Sequence, residues 1–198
     1  CSQAHGASYK GKKVGSFGNI STWSFCQDKI ISTGGEGGMV STNDKKLWLK
    51  LWSLKDHGKN YNSFFIKKHK IGFKWLHDDL GSNYRMTEMQ AVIGREQLKL
   101  LDKQIKKRNL ISSLYLNGLK DYYHKYKIFI KPDFKCQTCP LKQNKKNCHK
   151  CKHAFYRLNF FINKHKIKHI KLLKEFIQNK INCSVGSCPE IYREKLFK

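Results

Sequence analysis

The chain has 198 residues, 39% of them hydrophobic, which is enough to bury the core of one domain or of a domain with an additional lobe. Its 40 Lys and Arg residues outnumber its 14 Asp and Glu residues, which gives a formal net charge of +26. The sequence contains no apolar run long enough to span a bilayer and no export signal, so we expect neither a membrane protein nor a secreted one.

The positive charge alone would suggest a nucleic acid or an anionic membrane as the partner. Its distribution argues against both, because most of the basic residues are lysines scattered along the whole chain. Arginine, which binds phosphate through paired hydrogen bonds, is scarce. We therefore expect no nucleic-acid or membrane partner, although the positive potential would favour a substrate that carries a nucleotide diphosphate.

Residues 1–43 are expected to form short strands and turns, with β-prone runs at 21–25 and 38–42. Lys29 lies between the first run and a glycine-rich turn, and the hydroxyl of Ser24 lies five residues upstream of it. An amine held there becomes a nucleophile toward carbonyl groups if its neighbours and desolvation lower its pKa. Such a site suits a lysine that forms a Schiff base with pyridoxal phosphate, whose phosphate the hydroxyl and the glycine amides would hold. The alternative is a surface hairpin that carries one of many exposed lysines.

Helical patterns follow. Asn43 and Asp44 offer a helix cap before 45–54, where leucines recur at helical spacing. The aromatic and basic stretch 61–79 has no clear period, so we expect a loop with strand pieces, of a length that suits a functional loop. Residues 87–119 give the clearest helical pattern of the chain.

Thr87 and Gln90 resemble a capping box at the start of this long helix, and Gly118 is expected to end it. The remaining elements are expected to be a strand at 126–130, a strand at 155–162, an amphipathic helix at 167–179 and a strand or turn at 183–187. The whole order predicts an α/β fold. It indicates the end of a large domain at 1–86, followed by a linking helix and a small α/β lobe at 87–198.

A polar insert at 136–151 carries four of the eight cysteines, in two pairs: Cys136, Cys139, Cys148 and Cys151. Two thiolate pairs at this spacing can close a tetrahedral structural zinc site, and an insert without an apolar core of its own cannot fold unaided. Free thiols in a loop and disulfides are the alternatives. Because there is no export signal, we expect a reducing cytoplasm.

Several blocks of the sequence occur in the same order in one known family. The blocks include QAHGA at 3–7, SFCQDK at 24–29, GGEGG at 34–38, GSNYRMTEMQA at 81–91 and HAFY at 153–156. They resemble the sugar-nucleotide aminotransferases of the DegT/StrS group, which belong to the fold-type I pyridoxal-phosphate enzymes. The match spans nearly the whole chain. It implies the end of a fold-type I large domain followed by the small C-terminal α/β lobe.

The resemblance also implies roles for four residues. Lys29 would bind pyridoxal 5′-phosphate covalently and serve as the base and acid of the transfer. Ser24 would bond the cofactor phosphate, and Gln3 would lie near the ring hydroxyl of the cofactor. Asn83 corresponds to a residue that reaches the phosphate in the neighbouring subunit's site, which implies a homodimer with composite active sites.

Five residues are candidates for binding the substrate: His57, Tyr84, Arg85, His153 and Tyr156. Arg85 could pair with substrate anions, and the alternative is that it binds a local carboxylate. For the others, the alternative is a loop or strand residue that is satisfied locally. His5 is expected to be structural rather than catalytic.

Members of the family are nearly twice as long, and this chain resembles their latter half, so we expect a fragment. The aspartate that pairs with the pyridine nitrogen in the family would precede Cys1, and the chain alone would then lack part of the active site. The ending 186–192 also departs from the Tyr-x-Pro-x-x-His ending of many relatives, which leaves the sugar open.

The expected function is the pyridoxal-phosphate-dependent transfer of an amino group to a keto group of a nucleotide-linked deoxysugar, for surface polysaccharide or related glycoconjugate synthesis. The expected donor is an amino acid, glutamate above all. Two alternatives stay open: a zinc-stapled basic module that binds nucleic acid, and an inactive remnant of the enzyme.

Overall fold

The computed structural model describes residues 1–130, 151–163, 165–185 and 190–197. In these residues the elements are, in chain order, β1 (Ser8–Tyr9), β2 (Lys12–Lys13), β3 (Ser21–Ser24), β4 (Gly38–Ser41), α1 (Lys45–Lys55), α2 (Tyr61–Phe65), α3 (Glu88–Gly118), α4 (Lys120–His124), β5 (Phe129–Ile130), β6 (Phe161–Ile162) and α5 (His169–Gln178). Two short 3₁₀ turns, Ile191–Arg193 and Lys195–Phe197, follow.

The strands pair antiparallel, β1 with β2, β3 with β4 and β5 with β6. In the second pair, Ser21 lies opposite Ser41 and Ser24 lies opposite Gly38. The two β-prone runs predicted from the sequence therefore pair with each other. Their register places Ser24 at the end of β3, beside the glycine-rich turn.

The described residues divide into two compact units. One comprises residues 1–114 and the described part of 134–158, and the other comprises the described parts of 115–133 and 159–198. Every predicted site residue that the structure describes lies in the first unit. The division of the whole protein after residue 86, expected from the sequence, stays a prediction.

The buried apolar cluster of the first unit joins distant parts of the chain. It consists of Ala7, Ile30, Ile105 and Ala154, and Tyr156 packs against it. Ile105, on α3, is fully buried, and burying such a side chain stabilises a fold by about 1.5–3 kcal/mol. Because Ile30 follows Lys29 and Ala154 precedes Tyr156, this core fixes the position of Lys29 relative to Tyr156.

The predicted helix starts are confirmed. The Asp44 carboxylate accepts hydrogen bonds from the backbone N–H groups of Lys46 (2.7 Å) and Leu47 (3.1 Å), which caps α1. The Gln90 side chain accepts from the Thr87 N–H at 3.0 Å, and the Thr87 hydroxyl accepts from the Gln90 N–H at 3.3 Å. This reciprocal pair is a capping box at the start of α3.

Two predicted elements differ from the structure. The stretch 61–79 was expected to lack helix, but α2 occupies its first residues because the Asn60 side chain accepts from the Ser63 N–H at 3.0 Å and caps a short turn. The strand expected at 155–162 is reduced to β6, and Phe155, at the start of the expected strand, has a left-handed φ of 47° that an extended strand does not adopt. Of the strand or turn expected at 183–187, the last two residues lie outside the described part.

Within the part of the chain that the structure describes, no helix is both long enough and apolar enough to cross a bilayer.

Candidate active site

The turn that carries Lys29 is closed by backbone hydrogen bonds. The Phe25 N–H donates to the Gly37 carbonyl at 2.7 Å, and the Thr33 N–H donates to the Phe25 carbonyl at 3.1 Å. Within the turn, the Lys29 N–H donates to the Cys26 carbonyl at 3.0 Å. Lys29 is thus held in a short closed loop that leaves the end of β3.

The glycine-rich segment after this loop tolerates only glycine at several positions. Gly34 and Gly35 have φ values of 84° and 145°, a region that other residues rarely adopt. At Gly37 a Cβ atom would lie 2.1 Å from the Thr33 hydroxyl oxygen, which is far inside van der Waals contact. The glycines therefore let the backbone of this segment pass close beside the Lys29 loop.

The Lys29 side chain is mostly buried, with 14% of its surface exposed. Its Nζ atom lies 3.2 Å from Asp28 Oδ1 and 5.2 Å from the centre of the Tyr156 ring. The hydrogen bond to Asp28 raises the pKa of the Lys29 amine above its ordinary value, although burial opposes it. From the sequence, a nucleophilic amine was expected only on the condition that its surroundings lower its pKa, and in this structure they raise the pKa of Lys29.

Asp28, Cys26 and Arg157 also belong to this site, and the sequence analysis missed them. Asp28 accepts hydrogen bonds from the Cys26 thiol and the Tyr156 hydroxyl as well as from Lys29, and these bonds hold the pKa of Asp28 far below its usual range. The signal in the sequence was the acidic residue directly before Lys29 in a chain with few acids. Nothing local indicated that Tyr156 would reach it.

Gln3, Ser24 and His153 lie in the same unit. Gln3 and His153 line one open groove beside the first turn of the chain. The Ser24 hydroxyl accepts from the Cys26 N–H at 3.5 Å, a long bond that leaves the oxygen free to accept or donate elsewhere. His5 is buried against the rings of Trp23 and Phe25, and this burial lowers its pKa.

The other predicted residues gather around Asp56, at the end of α1. The Arg85 guanidinium donates to Asp56 Oδ1 at 2.5 Å, and Asn83 pairs with Asp56 through the backbone. The Tyr84 N–H donates to the carbonyl of Lys55 at 3.0 Å, and the His57 N–H donates to that of Ser82 at 3.2 Å. Arg85 is therefore bound by a local carboxylate, the alternative considered from the sequence.

Asp56 is nearly buried and has three cationic neighbours, Arg85, Lys59 (3.2 Å) and Lys55 (3.8 Å). Burial alone would raise the pKa of Asp56, but the hydrogen bond from Lys59 and the three positive charges outweigh burial and lower it. The carboxylate thus fixes the segment that presents Asn83 against the end of α1.

We expect Asp56→Asn to lower the free energy of unfolding by about 1–3 kcal/mol, since it removes the charged acceptor of a partly buried network. Because folding lowers the pKa of Asp56, its contribution to the stability of the wild-type protein is fully present at pH values above the ordinary pKa of 3.8. The contribution is lost as the pH falls below that value. The substitution should therefore also flatten the acid limb of the stability profile. Denaturant unfolding at several pH values measures both effects.

Glu96→Gln is the matched control, because Glu96 pairs with Lys99 in an ion pair whose two side chains are more than 60% exposed. Exposed pairs contribute about 0.2–1 kcal/mol, so this change should alter stability far less. Equal effects of the two substitutions would contradict the assigned role of Asp56.

The predicted zinc site cannot be placed, because Cys136, Cys139 and Cys148 lie outside the described residues. Cys151 is described, and its sulfur accepts from the Lys10 N–H at 3.3 Å. The described residues contain no cluster of His, Cys, Asp and Glu that could hold a metal ion. The zinc site stays a prediction, without support from the rest of the molecule.

Comparison with known proteins gives relatives that include several enzymes named for amino-sugar synthesis. A GDP-perosamine synthase of Escherichia coli O157:H7 is 41% identical over 136 residues, which cover 64% of this chain and 34% of the relative. A UDP-4-amino-4,6-dideoxy-N-acetyl-beta-L-altrosamine transaminase of Campylobacter jejuni is 38% identical over 153 residues, which cover 69% of this chain and 38% of the relative. The nucleic-acid module finds no support among them.

A solved structure, the aminotransferase from Psychrobacter cryohalolentis, is 40% identical to this chain with a TM-score of 0.83. The match covers 100% of this chain and 49% of that one, and the match to the GDP-perosamine synthase covers 34% of that relative, so the chain spans at most about half of the length of these two proteins. The predicted fold class, the latter part of a fold-type I transferase, is confirmed. The sequence profile of one family matches residues 1–198, and the chain belongs to that DegT/DnrJ/EryC1/StrS aminotransferase family.

Proposed function

We propose that the protein containing this chain transfers an amino group from an amino acid, glutamate above all, to a keto group of a nucleotide-linked deoxysugar, with pyridoxal 5′-phosphate as cofactor. The product would serve surface polysaccharide or related glycoconjugate synthesis in the cytoplasm. The observation that carries the proposal is the Lys29 amine, 14% exposed, at the end of a strand and beside a glycine-rich segment. The relatives named for amino-sugar synthesis support the substrate class.

The residues around Lys29 fit this cofactor by their chemistry. Lys29 supplies an amine for covalent attachment, and Ser24, at the end of β3, supplies a hydroxyl for the phosphate. Gln3, on the first turn of the chain, would supply an amide for the ring hydroxyl. At Gly35 a Cβ atom would meet no described atom within 4 Å, so the space beside this part of the glycine segment is open. When bound, the cofactor supplies an electron sink that makes a proton on the α-carbon of the donor removable.

Lys29 would remove that proton and later return one, because its amine is tethered beside the reacting atoms. To act as a base, Nζ must first lose the proton that Asp28 stabilises. His153 and Tyr156 would lie on the sugar side of this site, and the groove beside Gln3 would admit the substrate. His57 and Tyr84 would contact substrate from the segment around Asp56, where Arg85 is bound to the Asp56 carboxylate.

We further propose that the protein is a homodimer in which Asn83 serves the partner's site. Large apolar side chains near Asn83 support this, since Phe73 and Trp75 are each 80% exposed, Leu80 is 95% exposed and Met89 is 77% exposed. Apolar side chains exposed over one stretch mark an interaction surface.

The test of the function is a transfer assay. The intact protein is incubated with pyridoxal phosphate, glutamate and keto sugars carried by GDP, UDP or dTDP, and the products are analysed by mass spectrometry. An amino sugar formed in equal amount with 2-oxoglutarate supports the proposal. A sugar product that has lost oxygen without gaining nitrogen, or no product with any keto sugar, would contradict it.

A further inference from the structure

The Asp28 carboxylate is surrounded by donors from two distant parts of the chain. Its Oδ1 atom accepts from the Cys26 thiol at 2.8 Å and from Lys29 Nζ at 3.2 Å. Its Oδ2 atom accepts from the Tyr156 hydroxyl and from Arg157 Nη2 at 3.1 Å. One oxygen thus faces the loop that carries Lys29, and the other is hydrogen-bonded to Tyr156 and Arg157, in the segment after Ala154.

The Tyr156 ring lies between two cations. Lys29 Nζ is 5.2 Å from the ring centre, and the Arg157 guanidinium carbon is 5.1 Å from it. Both distances lie within the range of cation–π attraction. Tyr156 therefore fixes Asp28 through its hydroxyl and attracts the Lys29 ammonium through its face.

This arrangement limits where the amine can go. The Asp28 side chain is 45% exposed, but its carboxylate cannot turn away from Lys29 without breaking its bonds to Tyr156 and Arg157. Lys29 cannot leave the carboxylate without exchanging a charge-assisted bond for water. The apolar core holds both segments, because Ile30 and Ala154 belong to the same buried cluster. The position of Nζ is thus set by residues far away in sequence.

We propose that Asp28 is the positioning residue of Lys29: it holds the amine in place as an ammonium before the cofactor binds, and Tyr156 and Arg157 hold Asp28. The assignment rests on the proposed function for its meaning, since Lys29 matters only if it binds the cofactor. Tyr156 then holds Asp28 in addition to making the substrate contact expected from the sequence. Arg157, which the sequence did not single out, also holds Asp28.

Two opposite effects follow when the Asp28 charge is removed. The uncharged, nucleophilic fraction of the Lys29 amine rises at neutral pH, because the ammonium loses its counterion. The amine is also less well placed, so the cofactor attaches more slowly although a larger fraction of the amine is uncharged. A residue that merely stabilised the fold would produce neither the first effect nor this contrast.

The charged and titratable groups that face Lys29 are Asp28, Tyr156 and Cys26, with Arg157 behind the carboxylate and His5 on the neighbouring turn. Asp28 is the carboxylate among them, and its hydrogen bond has the largest effect on the charge state of the amine. Tyr156→Phe removes the hydroxyl bond and keeps the ring, which separates the anchoring of Asp28 from the attraction by the ring.

The experiment is competitive acylation of the cofactor-free intact protein with trace acetic anhydride over the neutral to alkaline range, read out for each lysine by peptide mass spectrometry. We expect the pH midpoint of Lys29 acylation to fall in Asp28→Asn and to fall less in Tyr156→Phe. In Asp28→Glu this midpoint should stay near the wild-type value. Each unit of fall raises the uncharged fraction below the midpoint about tenfold. Lys12, an exposed lysine on β2, serves as the internal reference, and Glu96→Gln as the variant that leaves Lys29 unchanged.

An unmoved Lys29 midpoint in a folded Asp28→Asn protein would overturn the proposal. If that variant does not fold, an unmoved midpoint in Tyr156→Phe together with unimpaired cofactor attachment overturns it. The failure of the proposed function looks different: the midpoint moves as expected, but borohydride fixes the cofactor to another lysine.

Discussion

Lys29→Ala should abolish amino transfer and the visible absorbance that the cofactor acquires on linkage to the protein. The substitution removes the attachment point and the group that moves the proton at the α-carbon of the donor. Loss of general acid–base catalysis alone reduces rates by about 10²–10⁴-fold, so a larger fall is expected when attachment is lost too. Steady-state transfer rates and an absorbance spectrum of the intact protein provide the measurement.

Lys12→Ala is the matched control, because Lys12 is an exposed lysine on β2 of the same unit. It should leave the rate and the spectrum unchanged. A Lys29→Ala protein that keeps its spectrum and most of its rate would show that another group attaches the cofactor.

Mixing two inactive variants should restore activity. In a dimer formed from one Lys29→Ala chain and one Asn83→Ala chain, one site receives both defects and the other receives Lys29 from one chain and Asn83 from the other. Half of the dimers are mixed after random exchange, each with one intact site, so the mixture should reach about a quarter of wild-type activity, as two-fold symmetry requires. The transfer rate is measured after denaturant-assisted subunit exchange, which native mass spectrometry verifies.

The control for this prediction is a mixture of Lys29→Ala with Ser24→Ala. Ser24 and Lys29 serve the same site from the same chain, so no mixed dimer contains an intact site and the mixture should show no more than the average of its parents. If exchange occurs and the Asn83 mixture stays inactive, Asn83 acts within its own chain and the shared-site proposal fails.

The helices were the part of the fold that the sequence predicted best. Asp44 and the Thr87 and Gln90 pair act on backbone groups within three residues, so their effect on helix starts is visible in the local pattern. The prediction of a strand at 155–162 was wrong for most of that range, because a residue far away in sequence contacts it. The Arg108 guanidinium, on α3, donates to the carbonyls of Phe155 (3.3 Å) and Tyr156 (3.2 Å), which no local pattern reveals.

In the site too, the roles that depend on neighbours in sequence could be predicted, and the contacts between distant residues could not. Lys29 and Ser24 could be proposed because the strand, the lysine and the glycines are contiguous. Tyr156 bonds an aspartate 128 residues away, and Arg85 bonds one 29 residues away. The hydrogen bond from Lys29 to Asp28, its neighbour in the chain, is the main cause of the raised pKa of Lys29, and the distant Tyr156 adds to it.

The most direct test of the account is to find the lysine that holds the cofactor. The intact protein is loaded with pyridoxal phosphate, reduced with borohydride and digested, and the modified peptide is sequenced by mass spectrometry. We predict a single stable adduct on Lys29, in the segment that begins at Ser24. An adduct on any other lysine, or none on a protein that performs the transfer, would contradict the assignment of this site.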